Sequence, residues 1–271
     1  MKTPGLAELL EDVSILAREA GAAVMEIYRS GKADVQSKKD SSPLTEADLA
    51  SHRIIVEGLG KIGDYPVLSE ESALISYEER KNWHRYWLVD PLDGTKEFIN
   101  RTGEFTVNIA LIEDKYPILG VVYAPVVDRM YYAASGCGAY READGIIAGI
   151  GVSSIVPDKL RVVASRSHRG DALDEFLEKL GQHECVSMGS SLKFCLVAEG
   201  SADLYPRLGP TMEWDTAAAQ AVVEEAGGMV VDNESGARLR YNKRDLRNPW
   251  LLVMAQGGNG LRRGLAIMRE Q

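Results

Sequence analysis

Residues 87–98 (WLVDPLDGTKEF) constrain the fold more than any other stretch of the chain. An apolar run ends there in two carboxylates, Asp90 and Asp93, and a Gly-Thr pair follows them. The apolar residues predict a buried strand, and Pro91 is expected to end regular pairing between the two acids. Both carboxylates would then project from a strand end into a cleft, which is where magnesium is usually held. Gly94 permits close backbone approach, and free N–H groups at a helix start attract phosphate. The stretch therefore predicts a metal and a phosphate side by side.

The length and charge of the chain limit its class. With 271 residues it can form one large domain or two moderate ones with real cores. Hydrophobic content of 45% and charged content of 26% are typical of a globular protein. A formal net charge of -9 disfavours binding to a nucleic acid polymer or an anionic membrane. An acidic chain that binds phosphate needs local positive charge, which a divalent metal would supply.

The three cysteines and the N-terminus indicate a reducing compartment. Cys137, Cys185 and Cys195 are far apart, without the spacing of a zinc site or a disulfide scaffold. The first residues lack a basic-then-apolar signal pattern, and no apolar run reaches the roughly 18 residues of a membrane span. We expect a cytoplasmic protein without a transmembrane segment. A homodimer and a peripheral association with the inner membrane both stay open.

The hydrophobic pattern predicts an N-terminal α+β lobe over residues 1–155. Apolar residues recur at helical spacing over residues 6–27, which predicts a long amphipathic helix that ends near Gly31. A polar loop over residues 36–43 and a second helix after Thr45 follow. Apolar, β-branched runs at 105–112 and 118–124, and a third run at 129–134, predict an antiparallel meander. The lobe should therefore be a layered structure with a largely antiparallel sheet.

From about residue 156 short strands alternate with helices, which predicts a C-terminal α/β lobe over residues 156–271. The predicted helices cover residues 171–180, 191–199, 215–226 and 260–269. The predicted strands cover residues 160–164, 202–205, 229–231 and 251–254.

Three further acids lie at the ends of predicted elements, and each has an ordinary structural role available. Thr45 fits an N-cap, with Asp48 as the acid of a capping box. Glu70 follows a short strand, where an acid is commonplace but also near enough to Asp90 to be a metal ligand. Asp215 fits the N-cap of the helix that follows it, or a metal ligand across a cleft between the lobes. Local sequence does not separate these roles.

Taken together, these motifs resemble those of the inositol monophosphatase-like, lithium-sensitive, magnesium-dependent phosphatases. The resemblance is carried by TEAD (45–48), SEE (69–71), DPLDGT (90–95) and WD (214–215), which match in order and spacing along most of the chain. KEF (96–98) and FTVNIAL (105–111) are most similar to the 3'(2'),5'-bisphosphate nucleotidase branch. The resemblance implies an αβαβα sandwich of the inositol monophosphatase and fructose-1,6-bisphosphatase type, and a role in sulfur assimilation.

The same resemblance implies the roles of individual residues. Two or three magnesium ions would be held by four carboxylates and one carbonyl oxygen, those of Glu70, Asp90, Asp93, Asp215 and Leu92. Thr95 and Glu70 would orient a water held by the metal, with Asp48 accepting a hydrogen bond from Thr95. The N–H groups of Gly94 and Thr95 would hold phosphate oxygens. Magnesium needs such hard oxygen ligands and activates water by lowering its pKa.

In the bisphosphate nucleotidases, positions in the second lobe contact the adenosine and the second phosphate. The matching positions in this chain are Ser190, Lys193 and Arg207, together with His168 and the shared ligand Asp215. The implied reaction is hydrolysis of the 3'-phosphate of adenosine 3',5'-bisphosphate, and of its sulfated precursor. An inositol monophosphatase or broad sugar-phosphate phosphatase is an alternative within the fold, and a catalytically silent phospholigand-binding protein is an alternative outside the enzymes. Ser69 and Ala219 depart from the glycines that relatives commonly have, without removing a ligand.

Overall fold

The computed structural model describes residues 5–31, 35–37, 43–72, 74–154, 159–165, 170–255, 264 and 266–267. Two β-sheets alternate with three helical layers over these residues, which gives the αβαβα order. The sandwich that the family resemblance implies is thus confirmed. Among the described residues, no helix combines the length and apolarity needed to cross a bilayer.

The larger sheet follows the chain as a meander, with the spatial order β3-β4-β5-β6-β7-β8-β9. Only β3 and β4 among these strands are parallel, and every other neighbouring pair is antiparallel. The predicted, largely antiparallel sheet is therefore confirmed. Its strands are β3 (Val67–Ser69), β4 (Arg85–Asp93), β5 (Thr106–Glu113), β6 (Tyr116–Ala124), β7 (Arg129–Ala134), β8 (Gly138–Ala143) and β9 (Ile146–Gly149).

Two long helices cover the outer face of this sheet. The apolar stripe of α1 (Leu6–Ser30) ends at Gly31, whose φ of 69° is the left-handed value that favours glycine at a helix end. α2 (Glu46–Ile62) packs beside it. Alternate residues of β4, β5 and β6, such as Trp87, Val107 and Val121, point into this layer and are fully buried.

The smaller sheet has the order β11-β10-β12-β14-β13, with β10 parallel to both of its neighbours and the pairs β12–β14 and β13–β14 antiparallel. Its outer face packs against α5 (Asp171–Leu180) through Phe176 and Leu177. Its strands are β10 (Leu160–Ser165), β11 (His183–Met188), β12 (Leu204–Arg207), β13 (Gly228–Asp232) and β14 (Leu251–Ala255).

The central layer consists of α6 (Leu192–Ala198) and α7 (Ala217–Glu225), which lie between the two sheets. Every residue of α6 is buried, as expected for a helix covered on both sides. α7 packs closely against β6, because a Cβ added at Gly120 would lie only 2.1 Å from the Ala218 carbonyl oxygen. One core therefore spans both sheets.

Shorter elements surround the site. A small antiparallel hairpin joins β1 (Val35–Ser37) to β2 (Pro43–Thr45), so both ends of the predicted polar loop are strands. A 3-10 turn (Glu70–Ser72) follows β3, and the two remaining helices are α3 (Tyr77–Arg80) and α4 (Thr95–Ile99). β8, β9 and β11 were not expected from sequence. Most of the helix predicted over 260–269 and the lobe boundary predicted near 155 lie outside the described residues.

Candidate active site

Asp90 and Asp93 lie at a β-bulge near the end of β4. Asp90 pairs with Asn108 and Asp93 with Thr106, so β4 has one extra residue between the two pairs. A bulge re-aims side chains and accommodates a proline, which has no N–H to donate to the ladder. Regular pairing is interrupted at Pro91, as expected, but it does not end there, because β4 pairs again at Asp93. The bulge sets the spacing of the two carboxylates.

Asp48 performs the capping role and also contacts Thr95. Its Oδ2 accepts hydrogen bonds from the Thr45 N–H at 2.8 Å and the Thr45 hydroxyl at 2.6 Å, which completes the capping box of α2. Its Oδ1 lies 3.4 Å from the Thr95 hydroxyl, which is also 3.4 Å from the Leu92 carbonyl oxygen. The two roles considered for Asp48 therefore coexist, because each uses a different oxygen.

Asp215 is not the N-cap of α7, which corrects one of the two roles considered for it. Thr216 occupies the cap position, while Asp215 Oδ2 accepts the Met212 N–H at 2.9 Å. The adjacent Glu213 is fully buried and accepts hydrogen bonds from the Asn242 N–H and from the Lys243 N–H and ammonium, at 2.6–2.9 Å. Glu213 thereby fixes the segment that carries Asp215, a role that local sequence did not indicate.

The carboxylates of the cleft interact electrostatically. Burial raises the pKa of Asp90 well above its usual value, and the negative charges of Glu70, Asp93 and Asp215 raise it further. Burial is likewise the main reason that the pKa of Asp93 and that of Asp215 are raised. Asp93 and Asp215 line the same cavity. Such a set is costly without a positive partner.

The donor set fits magnesium. Asp90, Asp93 and Asp215 each turn one oxygen toward a backbone N–H, and the other oxygen makes no hydrogen bond within the described part of the chain. As the side chains stand, no three acidic, histidine or cysteine side chains in that part converge tightly enough to enclose an ion. The second oxygens and the Leu92 carbonyl are nevertheless hard ligands of the kind that magnesium binds while keeping several waters.

Two cations line the same cleft as Asp93 and Asp215. Lys193 and Arg207 line a cavity of about 100 Å³ together with Asp93, Gly94 and Asp215. Burial lowers the pKa of Lys193 to about 8, although the Asp93 carboxylate raises it in part. Arg207 Nη2 donates to the Pro210 carbonyl at 2.8 Å, and its buried Nε has no partner within the described residues. These cations are placed to receive an anion beside the carboxylates.

A set of buried polar contacts joins β4 and β5 of the larger sheet to the residues just before α6. The Ser191 N–H donates to Asp93 Oδ2 at 2.5 Å, and the Ser191 hydroxyl lies 2.8 Å from both Thr106 Oγ1 and Asn108 Oδ1. Ser190 adopts a φ of 43°, uncommon for a residue other than glycine, and its hydroxyl lies 3.2 Å from Thr106 Oγ1. The sequence analysis did not identify Thr106, Asn108 and Ser191 as site residues. Their role in joining β5 to the residues before α6 becomes visible only from their hydrogen bonds.

The remaining predicted residues differ in how far the structure describes them. Gly94 has a φ of 92° and its Cα lies so close to Glu104 and Phe105 that a Cβ would be crowded, so glycine is required there. Glu70 begins the 3-10 turn after β3 and raises the pKa of Asp90, which places it near the other acids. His168 lies outside the described residues.

Sequence comparison places this chain among metal-dependent phosphatases. A family model described as the inositol monophosphatase family matches residues 6–263. The chain is 55% identical over 239 residues to the 3'(2'),5'-bisphosphate nucleotidase CysQ of Salmonella typhimurium, covering 88% of this chain and 95% of that protein. It is 39% identical over 250 residues to the CysQ protein of the same description from Haemophilus influenzae, covering 91% and 92%. Members of the family generally use magnesium.

Solved structures of similar fold belong to the same family as the proteins found by sequence comparison. CysQ from Bacteroides thetaiotaomicron superposes with a TM-score of 0.81 at 41% identity, covering 93% of this chain and 98% of that one. The inositol monophosphatase of Thermotoga maritima gives a TM-score of 0.78 at 27% identity, covering 97% of both chains. The motifs, the layered fold and these matches agree along nearly the whole sequence. The chain belongs to the inositol monophosphatase family.

Proposed function

We propose that this protein is a magnesium-dependent phosphomonoesterase that removes the 3'-phosphate from adenosine 3',5'-bisphosphate, and from the corresponding sulfated nucleotide. The observation that carries the proposal is the cleft itself, in which buried carboxylates face the two cations Lys193 and Arg207. A monophosphate needs only one anion-binding centre. A nucleotide with two phosphates needs a second, and this pair of cations supplies it.

Four acids and one carbonyl would hold two or three magnesium ions, those of Glu70, Asp90, Asp93, Asp215 and Leu92. When bound, magnesium would offset the charge of the phosphate and lower the pKa of the attacking water. The mutual repulsion that raises the pKa of Asp90 supports this assignment, because cations would relieve it. The N–H groups of Gly94 and Thr95 would hold phosphate oxygens at the edge of the same cleft.

Thr95 and Asp48 would align the attacking water, with Glu70 as a second acceptor. The Thr95 hydroxyl lies 3.4 Å from Asp48 Oδ1, so it can donate a hydrogen bond to that carboxylate. Its oxygen lone pairs are then left to accept a hydrogen bond from the attacking water, which fixes the direction of attack. Asp48 is itself fixed by two hydrogen bonds from Thr45, which keep the pair in one geometry.

Lys193, Arg207 and Ser190 would select the substrate, with His168 as a further candidate. Lys193 Nζ donates to the Ser190 carbonyl at 2.6 Å, which holds the ammonium beside the cleft. Arg207 lines the same cavity, where its guanidinium is placed to attract a phosphate or sulfate group. A substrate with one phosphate would leave these cations unused, so we expect slower hydrolysis of inositol and sugar monophosphates. The acids, together with Thr95, also argue against a catalytically silent binding protein.

The decisive experiment measures phosphate release from adenosine 3',5'-bisphosphate, inositol 1-phosphate and fructose 1,6-bisphosphate. Each substrate is tested with and without magnesium, and with added lithium. We expect magnesium-dependent, lithium-inhibited turnover with the highest kcat/KM for the nucleotide. Lys193→Ala and Arg207→Ala should lower kcat/KM for the nucleotide by about tenfold or more and spare inositol 1-phosphate. Equal losses on both substrates would reject selection by these cations, and no turnover of any substrate would favour a silent binder.

A further inference from the structure

A second cavity, of about 260 Å³, lies where the turn between β5 and β6 meets residues 239–243. Its lining includes Tyr77, Lys115, Asp232, Arg240 and Lys243. None of its lining residues also lines the catalytic cleft. Hydrogen bonding holds its walls together, since the Tyr241 N–H donates to the Lys115 carbonyl at 3.0 Å. The cavity is therefore a separate feature of the molecule.

The charge of the lining is positive although the chain as a whole is acidic. Lys115 and Arg240 are exposed cations, and neither side chain makes a hydrogen bond or ion pair within the described residues. Asp232 is the acidic member of the lining, and its carboxylate already accepts the Ser235 N–H at 2.7 Å and the Ser235 hydroxyl at 2.6 Å. Two like charges at one cavity repel each other unless an anion lies between them.

A buried arginine behind Tyr77 adds to this positive charge. Arg80 is only 2% exposed, yet its guanidinium donates to the Asn242 side-chain oxygen at 2.7 Å and the Arg244 carbonyl at 3.0 Å. No carboxylate pairs with it in the part of the chain that the structure covers, and its Nε has no partner there. The Arg80 and Arg244 guanidinium carbons lie 5.2 and 4.9 Å from the Tyr77 ring centroid. A buried cation without a counter-charge is costly, and an anion nearby would offset that cost.

Lys243 connects this cavity to the segment that carries Asp215. Lys243 lines the cavity, and its ammonium donates to Glu213 Oε1 at 2.6 Å and to Asn248 Oδ1 at 3.1 Å. Asn248 in turn donates to the Met212 carbonyl at 2.8 Å, so Glu213 and Asn248 both hold the loop before α7. The third acceptor of the ammonium is the Arg240 carbonyl at 3.1 Å. An anion in the cavity would compete with Glu213 for the same ammonium.

We propose that this cavity binds a small anion carrying a phosphate or sulfate group, and that Lys243 and Glu213 couple its occupancy to the catalytic cleft. Lys115 and Arg240 would supply the charge-assisted hydrogen bonds, and the Tyr77 ring would form an apolar wall. The volume equals that of about nine waters at roughly 30 Å³ each, so a hydrated tetrahedral anion fits with room for a small organic group. The site goes beyond the reaction proposed above and does not depend on its substrate.

The first test measures sulfate binding by titration calorimetry on the full chain without magnesium, at ionic strength held constant with chloride. The reference is the Arg207→Ala protein, in which anion binding in the catalytic cleft is weakened. It is compared with the same protein carrying Lys115→Ala/Arg240→Ala and with the same protein carrying the control pair Arg29→Ala/Lys61→Ala, which removes the same charge from two exposed helix ends. We expect the cavity variant to lose sulfate affinity by roughly tenfold or more, and the control by less than about twofold. Similar affinity in both variants would overturn the site.

A second measurement tests the coupling and does not rely on turnover. The rise in Tm caused by magnesium is recorded with and without saturating sulfate in wild type and in Lys243→Met. We expect sulfate to reduce that rise in wild type, corresponding to a change of about fivefold in apparent magnesium affinity, and to have little effect in Lys243→Met. An unchanged rise in sulfate-bound wild type would overturn the coupling.

Two further measurements keep the proposal falsifiable. If the double variant proves unfolded by circular dichroism, Arg240→Gln replaces it, with an expected loss of about threefold or more in sulfate affinity. Inorganic phosphate and adenosine 5'-phosphate are then titrated separately into the Arg207→Ala protein. Binding of either one that is lost with Lys115 and Arg240 supports the site, and tighter binding of the nucleotide identifies Tyr77 as a contact. Failure of sulfate and both phosphates to bind would reject the proposal.

Discussion

Three buried aspartates in one cleft make the metal-free protein less stable than its fold alone would allow. Burial raises the pKa values of Asp90, Asp93 and Asp215 above their unfolded values, and repulsion by neighbouring carboxylates raises those of Asp90 and Asp215 further. A carboxyl whose pKa is raised on folding stabilises the native state at low pH, and this stability is lost as pH rises through the folded pKa. A cation bound in the cleft would offset the charge of these carboxylates and so stabilise the folded protein.

We predict that Asp93→Asn abolishes magnesium-dependent turnover while raising the Tm of the metal-free protein at pH 7. The substitution removes one negative charge from the cleft, and the amide oxygen can still accept the Ser191 N–H. The rise in Tm that magnesium causes in wild type should shrink or disappear. Scanning calorimetry with and without magnesium checks this, with Asp12→Asn on the exposed face of α1 as the control. Full activity in Asp93→Asn would contradict its assignment as a metal ligand.

The pKa of Lys193 predicts how selection of the nucleotide depends on pH. Because burial lowers that pKa to about 8, the ammonium is charged below pH 8 and neutral above it. We expect kcat/KM for adenosine 3',5'-bisphosphate to fall above about pH 8, relative to that for inositol 1-phosphate. Lys193→Arg keeps its charge and should remove this relative fall, whereas Lys193→Gln should lower the ratio at every pH. A ratio with the same pH profile in wild type and Lys193→Arg would contradict the prediction.

Glu213 illustrates a residue whose role only the structure reveals. In the sequence it is one acid beside a better candidate, Asp215, but its carboxylate is fully buried and holds two backbone N–H groups and the Lys243 ammonium. Replacing it by glutamine brings an amide N–H₂ against these donors. We predict that Glu213→Gln lowers stability by about 3 kcal/mol or more, seen as a lower Tm, whereas Glu57→Gln on an exposed face of α2 stays within about 0.5 kcal/mol.

At the scale of elements, tight packing between β6 and α7 gives the clearest prediction. A Cβ at Gly120 would lie 2.1 Å from the Ala218 carbonyl oxygen, and that atom belongs to helix backbone that cannot rotate away. We predict that Gly120→Ala destabilises the protein by about 3 kcal/mol or more, at the upper end of overpacking costs. The strand glycine Gly149 has open space around it, so Gly149→Ala is the matched control. Equal midpoints in urea for both variants would contradict the close packing.

The elements that the sequence analysis predicted well are those in which a periodic apolar pattern continues over many residues. The helix over residues 6–27 and the meander from 105 to 134 are confirmed within a few residues, because their apolar faces pack against a core. β9 and β11 lacked such a signal, since β9 is an exposed edge strand and several residues of β11 face solvent. Asp48 and Asp215 show the limit for site residues, because an acid before a helix fits both a cap and a ligand until its hydrogen bonds are known.

At the scale of the whole molecule, the division into two lobes at about residue 155 stays a prediction, which rests on the change to alternating strands and helices in the sequence pattern. Helix α7 belongs to the second half of the chain, yet it packs against β5, β6, β7 and β8 of the first. The buried residues of one cluster come from both sheets and from the helices between them, and Ser191 joins the halves by polar contacts. The two lobes therefore share a core, so neither is expected to be stable without the other.

We predict a single cooperative unfolding transition for the metal-free chain, and no stable fold for a fragment of residues 1–155. The fragment would expose Leu88, Val122 and Tyr131, which in the full chain belong to a buried cluster shared with α6 and α7. Urea unfolding is followed by circular dichroism and by tryptophan fluorescence, to which Trp83 and Trp87 contribute from the first half and Trp214 and Trp250 from the second. Coincident transitions from both probes are expected, since the shared layer must separate for either half to unfold. Two resolved transitions, or a fragment that unfolds cooperatively on its own, would contradict the prediction. Either result would mean that each half of the chain has its own stable core.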